Sequence, residues 1–65
     1  MFNNLRAELV RRNIKPIELA TQVKMNYRTL MNRLAGKSQF NLLEMNSIKN
    51  TLSDPTLTLD YLFEV

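Results

Sequence analysis

Residues 16–35 read PIELATQVKMNYRTLMNRLA, and they hold the most informative pattern in the chain. Apolar residues recur at helical spacing in both halves of this stretch, at Leu19, Val23 and Leu30. Pro16 suits the first position of a helix, where its missing N–H costs nothing. The pattern predicts two short helices that pack against each other across a tight turn.

The boundaries of the second of these helices are marked by side chains suited to helix ends. Asn26 can cap a helix that begins at Tyr27 by accepting a hydrogen bond from the backbone N–H of Arg28 or Thr29. Gly36 is the single glycine of the chain and follows the last apolar position. A helix commonly ends at such a left-handed residue. We therefore predict that this helix ends one or two residues before Gly36.

Local signals in the rest of the chain predict three more helices. No stretch alternates apolar and polar residues over the length of a strand. Asn41 and Glu44 are spaced as a capping box. Thr58 can cap a last short helix, with Leu57 and Leu62 spaced to pack together around it. The five predicted helices are residues 2 or 3–13, 16–23, 27–34 or 35, 42–52 and 59–63.

The apolar positions of these helices predict a small core. The residues we expect to be buried are Phe2, Leu5, Leu9, Leu19, Ala20, Val23, Met45, Ile48, Leu52 and either Leu42 or Leu43. A chain of 65 residues leaves room for one domain, residues 1–65. No apolar run is long enough to span a membrane and no signal-peptide pattern is present, so we expect a cytoplasmic protein.

The charges of the chain are divided between its two halves. Residues 1–43 contain eight basic and two acidic residues, a net charge of +6, whereas residues 44–65 have a net charge of −3. One end of the domain should therefore attract a polyanion. The chain has no histidine or cysteine, its acidic residues are scattered, and it has no glycine-rich phosphate loop. We therefore expect no catalytic site, no metal site, no cofactor and no small-molecule ligand.

Two short helices across a tight turn, at about residues 16–35, are typical of a helix-turn-helix, whose second helix enters the DNA major groove. Three further groups of residues carry a family resemblance: Ile14, Glu18, Leu19, Ala20 and Val23; Gly36 and Lys37; and the segment Leu57–Phe63. With them the chain resembles the Cro/repressor family of phage and bacterial regulators. The resemblance implies an all-α, compact five-helix domain like that of lambda repressor, which binds a double-stranded DNA operator in a bacterial or phage setting.

The resemblance also implies which residues contact DNA. Mapped on the family pattern, the base-reading residues are Tyr27, Arg28 and Asn32. The residues implied to contact the DNA backbone are Lys15, Asn26, Thr29, Arg33, Lys37, Ser38 and Gln39.

The chain departs from the family pattern at three positions. The family often has glycine at the turn where this chain has Lys24, so either Lys24 adopts a strained conformation or the turn differs. The polar residue that often begins the second helix is replaced by Pro16, and its contact is absent or falls to Lys15 or Thr21. Arg33 occupies the last inward apolar position of the recognition helix, with Leu34 one residue further on.

Regulators of this kind gain specificity by pairing two recognition helices on DNA, so we expect a homodimer that is weak in solution. The C-terminal segment is rich in apolar residues and is the predicted interface, formed by Tyr61, Leu62, Phe63 and Val65. The loop around Gln39 and Phe40 is the alternative interface. The alternative function is that of a protein-interaction module, such as an antirepressor that binds another regulator and not DNA.

Overall fold

The computed structural model describes residues 1–64, and these residues fold into five α-helices without a strand. The helices are α1 (Asn3–Arg11), α2 (Pro16–Gln22), α3 (Tyr27–Leu34), α4 (Leu42–Leu52) and α5 (Leu59–Leu62). The predicted all-α class and the order of the helices are confirmed. Within the described residues, no helix combines the length and the apolar character that crossing a membrane requires.

Side chains cap three of the helices at their N-termini, as predicted. The Asn26 side chain accepts a hydrogen bond from the backbone N–H of Arg28 at 2.9 Å. Asn41 and Glu44 form a reciprocal capping box, with N···O distances of 2.8 and 3.0 Å. The Thr58 hydroxyl accepts from a backbone N–H of α5 at 3.1 Å. These caps satisfy backbone donors that a helix start otherwise leaves unpaired.

Left-handed residues separate the helices. Gly36 has a φ of 81° just after α3, as its position in the sequence predicts. Lys24 has a φ of 59° between α2 and α3, so this non-glycine residue adopts the strained conformation. Asn13 ends the α1 region with a φ of 57°, and α1 is accordingly two residues shorter than the predicted helix.

The core combines residues from all five helices and the loops between them. The buried apolar residues are Phe2, Leu5, Leu9, Leu19, Ala20, Leu30, Leu34, Ile48, Leu52, Leu57 and Leu62. The prediction that α4 buries Leu42 or Leu43 is wrong, because these side chains are 61% and 78% exposed. Both belong to the first turn of α4, whereas the residues that α4 buries, Ile48 and Leu52, lie further along the helix.

One buried carboxylate ties the two ends of the described chain together. Glu8 accepts a hydrogen bond from the Tyr61 hydroxyl at 2.8 Å and pairs with Arg11 and Arg12. Arg12 also pairs with Asp54 at 2.9 Å. The hydrogen bonds from Arg12 and then Tyr61 lower the pKa of Glu8 despite its burial. This cluster fixes α1 against α5 and the turn before α5.

Candidate nucleic-acid interface

Helices α2 and α3 pack closely on each other across residues 23–26. Ala20 is 2% exposed, and its carbonyl accepts a hydrogen bond from the Met25 N–H at 2.9 Å. A small side chain at Ala20 permits this close approach of the two helices. Leu19 and Leu30 are fully buried on either side of the turn. The recognition helix of the sequence hypothesis, α3, is therefore held rigidly by α2.

The outer side of α3 carries the three predicted base-reading residues. Leu30 and Leu34 bind α3 to the core, and their burial orients the helix. Arg28 and Asn32 are exposed and lie four residues apart, so they share one side of the helix. Tyr27, in the first turn, is 46% exposed. The structure therefore leaves all three side chains accessible on α3, with Arg28 and Asn32 on the same side of the helix.

Arg28 differs from the other arginines in having no protein partner within residues 1–64. The remaining arginines form ion pairs with carboxylates or donate hydrogen bonds to a hydroxyl or to backbone carbonyls; these are Arg6, Arg11, Arg12 and Arg33. An unpaired guanidinium keeps its donors available for a bidentate bond to an acceptor outside the chain. Arg28 presents such a guanidinium from an ordered helix.

The loop after α3 presents a second set of polar groups. Lys37, Ser38 and Gln39 are all exposed. The Lys37 N–H donates to the carbonyl of Asn32 at 2.9 Å, which fixes the start of the loop on the end of α3. The Lys37 ammonium is thus carried on an ordered backbone at the end of the candidate recognition helix.

The other residues predicted to contact the DNA backbone differ in their exposure and in their hydrogen-bond partners. Lys15 precedes α2, and its side chain is exposed. Asn26 is exposed, but its side-chain oxygen is occupied by the α3 cap. Thr29 is half-buried. Arg33 is only 21% exposed, and its guanidinium points to Glu44 and Ser38, which leaves it less available than Arg28 or Lys37.

Arg33 and Glu44 form a partly buried ion pair behind this loop. Arg33 Nε donates to Glu44 Oε1 at 2.8 Å, and the glutamate side chain is 16% exposed. Burial opposes ionisation of Glu44, but hydrogen bonds from Arg33 and from the Asn41 N–H outweigh it and lower its pKa. Sequence reasoning missed this pair, because its two residues lie on different helices.

The structure of the C-terminal segment contradicts part of the predicted dimer interface. Leu62 is fully buried in the core of its own chain, so the prediction that it faces a partner is wrong. Tyr61 is 37% exposed, but its hydroxyl is bonded to Glu8. Phe63 is half-buried and packs edge-to-face on Phe40, with ring centroids 5.0 Å apart. Val65 lies outside the described residues.

Phe63 and Phe40 bring the two candidate interfaces together. Together with Gln39 and Met45 they line an open pocket of about 320 Å³. The C-terminal segment and the loop before α4, which the sequence predicts as alternative interfaces, meet at this pocket. Comparison of the chain with protein-family models, with curated proteins and with solved structures finds no match.

Proposed function

We propose that this chain is a sequence-specific DNA-binding regulator of the Cro/repressor kind, which occupies an operator through α3. The observation that carries the proposal is the exposed guanidinium of Arg28, which has no partner within residues 1–64 and lies one turn before the exposed amide of Asn32. Arginine bonds to two acceptors of guanine in the major groove, and asparagine bonds likewise to adenine. A helix presenting both side chains has the chemistry to distinguish base pairs.

The charge of the surrounding residues supports this proposal. Residues 1–43 have a net charge of +6 and include Lys15, Arg28 and Lys37, whose side chains are exposed. Lysines beside a recognition helix neutralise phosphates and release counterions, which strengthens binding to any duplex. Residues 44–65, with a net charge of −3, add no attraction for phosphate.

The test begins with selection of a preferred duplex from a random pool, followed by titration at several salt concentrations. Affinity should fall steeply as the salt concentration rises. Arg28→Ala should weaken the selected site by about 1–3 kcal/mol and relax preference at one base pair. Lys37→Ala should weaken all sequences alike. Lys49→Ala, in the C-terminal half of α4, is the control for loss of one positive charge. Equal binding by Arg28→Ala and its parent would refute the assignment of α3.

We propose further that two copies bind one pseudo-palindromic site, through the surface around Phe63, Phe40 and Tyr61. The pocket lined by Phe40 and Phe63 offers apolar surface without the fully buried Leu62. Sedimentation over a range of concentrations should show weak self-association, and two copies should bind each selected site. A stoichiometry of one copy per site would refute the dimer.

A protein-interaction module, such as an antirepressor, is the second candidate function. It is favoured by the exposure of Leu42 and Leu43, adjacent apolar residues at the start of α4. Adjacent exposed leucines are more typical of a protein contact than of a phosphate contact. Absence of salt-dependent duplex affinity in the titration above would favour this function over DNA binding.

A further inference from the structure

Arg33 reaches two groups that belong to different parts of the chain. Its Nε donates to Glu44 Oε1 in α4, and its Nη1 donates to the Ser38 hydroxyl in the loop, each at 2.8 Å. Both acceptors lie beyond Gly36, the left-handed residue that ends the α3 region. The arginine therefore links the last turn of α3 to both the middle and the far side of the loop.

The Glu44 oxygen that accepts the hydrogen bond from Arg33 also takes part in the capping box of α4. This Oε1 accepts from the Asn41 backbone N–H at 3.0 Å, and Asn41 in turn caps the first turn of α4. One carboxylate oxygen thus joins the end of α3 to the beginning of α4. The intervening loop, residues 36–41, is closed at both ends by these bonds.

The contacts of Arg33 distinguish it from the base-reading residues. Its guanidinium is directed to Glu44 and Ser38, whereas the Arg28 guanidinium has no partner within residues 1–64. The charge of Arg33 is compensated by Glu44, so the pair contributes little net charge toward a polyanion. These features argue for a role in shaping the loop that carries Lys37, and against direct phosphate contact.

We propose that Arg33 and Glu44 are positioning residues for DNA binding, which hold residues 36–41 in the conformation that contacts the DNA backbone. This inference rests on the proposed DNA-binding function. Ordering the loop during folding removes an entropic cost that would otherwise oppose binding. Weakening the pair should therefore reduce affinity although neither residue touches DNA.

Glu44→Gln gives the sharpest test, because two explanations predict opposite signs. Removing a negative charge from a DNA-binding surface should raise affinity if only net charge matters. Glutamine still serves in a capping box, so the start of α4 is retained. If the ion pair positions the loop, affinity for the selected duplex should instead fall by about three- to tenfold.

Arg33→Gln, alone and combined with Glu44→Gln, completes a double-mutant cycle and shows how the arginine acts. We expect a similar loss of affinity, a double variant no weaker than either single variant, and an unchanged salt slope. A lost phosphate contact would reduce the slope by about 0.9, as we expect for Lys37→Ala. Arg33→Lys, which keeps the charge but not the two directed bonds, should also lose affinity.

Thermal melts followed by circular dichroism verify that each variant is folded at the titration temperature. If Glu44→Gln is too unstable, Arg33→Lys takes its place. Amide hydrogen exchange of residues 37–41 should then be faster in Arg33→Lys than in the parent. Unchanged or higher affinity in folded Glu44→Gln, or a lower salt slope in Arg33→Gln, would overturn the positioning role alone. A parent chain without salt-dependent duplex affinity would overturn the proposed function and this inference together.

Discussion

Replacing Lys24 by glycine should stabilise the protein, although it removes a side chain and a charge. Lys24 has a φ of 59° in the turn between α2 and α3, and its side chain is exposed. A left-handed conformation costs a residue with a β-carbon about 1–2 kcal/mol. Glycine avoids this cost, but it lowers the free energy of unfolding by about 0.4–1 kcal/mol because it gives the unfolded chain more conformational entropy. The net gain should be roughly 0.5–1 kcal/mol.

Thermal unfolding of the Lys24 variants measures this gain. For a domain of this size, 0.5–1 kcal/mol corresponds to an increase in Tm of roughly 2–8 °C. Lys24→Ala is the matched control, because it removes the same charge and keeps the β-carbon that causes the strain. Its Tm should lie close to that of the parent. If Lys24→Gly melts no higher than Lys24→Ala, the turn does not hold residue 24 in the left-handed conformation.

Three further changes test the packing, the caps and the buried charges. Ala20→Leu should destabilise the domain by about 1–3 kcal/mol in a denaturant titration, because the added atoms overpack the contact between α2 and α3; a denaturation midpoint equal to that of the parent would argue against this pairing. Asn26→Ala should cost about 1 kcal/mol by the same measurement, whereas Asn26→Ser should cost less, since serine is also a good cap. The pKa values of Glu8, Glu44 and Asp54 are lowered in the folded state, so the stability they contribute is present near neutral pH. It should be lost as the pH falls below about 4.3 toward the folded-state values, and a Tm that is constant from pH 5 to pH 2 would contradict this.

The sequence could predict those features of the fold that depend on neighbouring residues. The caps at Asn26 and Asn41 and the left-handed Gly36 each involve groups within a few positions of one another, and all three are confirmed. The prediction that Leu42 or Leu43 is buried is wrong, because apolar character alone does not show which turn of α4 reaches the core.

Leu62 shows how two local interpretations of one residue compete. Its spacing from Leu57 predicts an inward staple, while the apolar composition of the C-terminal segment predicts an interface. The structure buries both leucines, at 0% and 8% exposure, so the staple determines the direction of Leu62. The Arg33–Glu44 pair, and the lack of a partner for Arg28 within residues 1–64, depend on how different helices pack in three dimensions. Helical periodicity contains no such information.

The local origin of the helix boundaries has a consequence for the speed of folding. Three side-chain caps and the left-handed residues at Asn13, Lys24, Gly36 and Ser53 are specified before distant segments meet. Helical domains dominated by such short-range contacts fold within microseconds to milliseconds. The last contact to form should be that of the C-terminal segment with α1, where the Tyr61 hydroxyl meets Glu8 across most of the chain. Refolding kinetics should therefore respond more to changes in α2 and α3 than to Tyr61→Phe, whose effect should fall mainly on the unfolding rate.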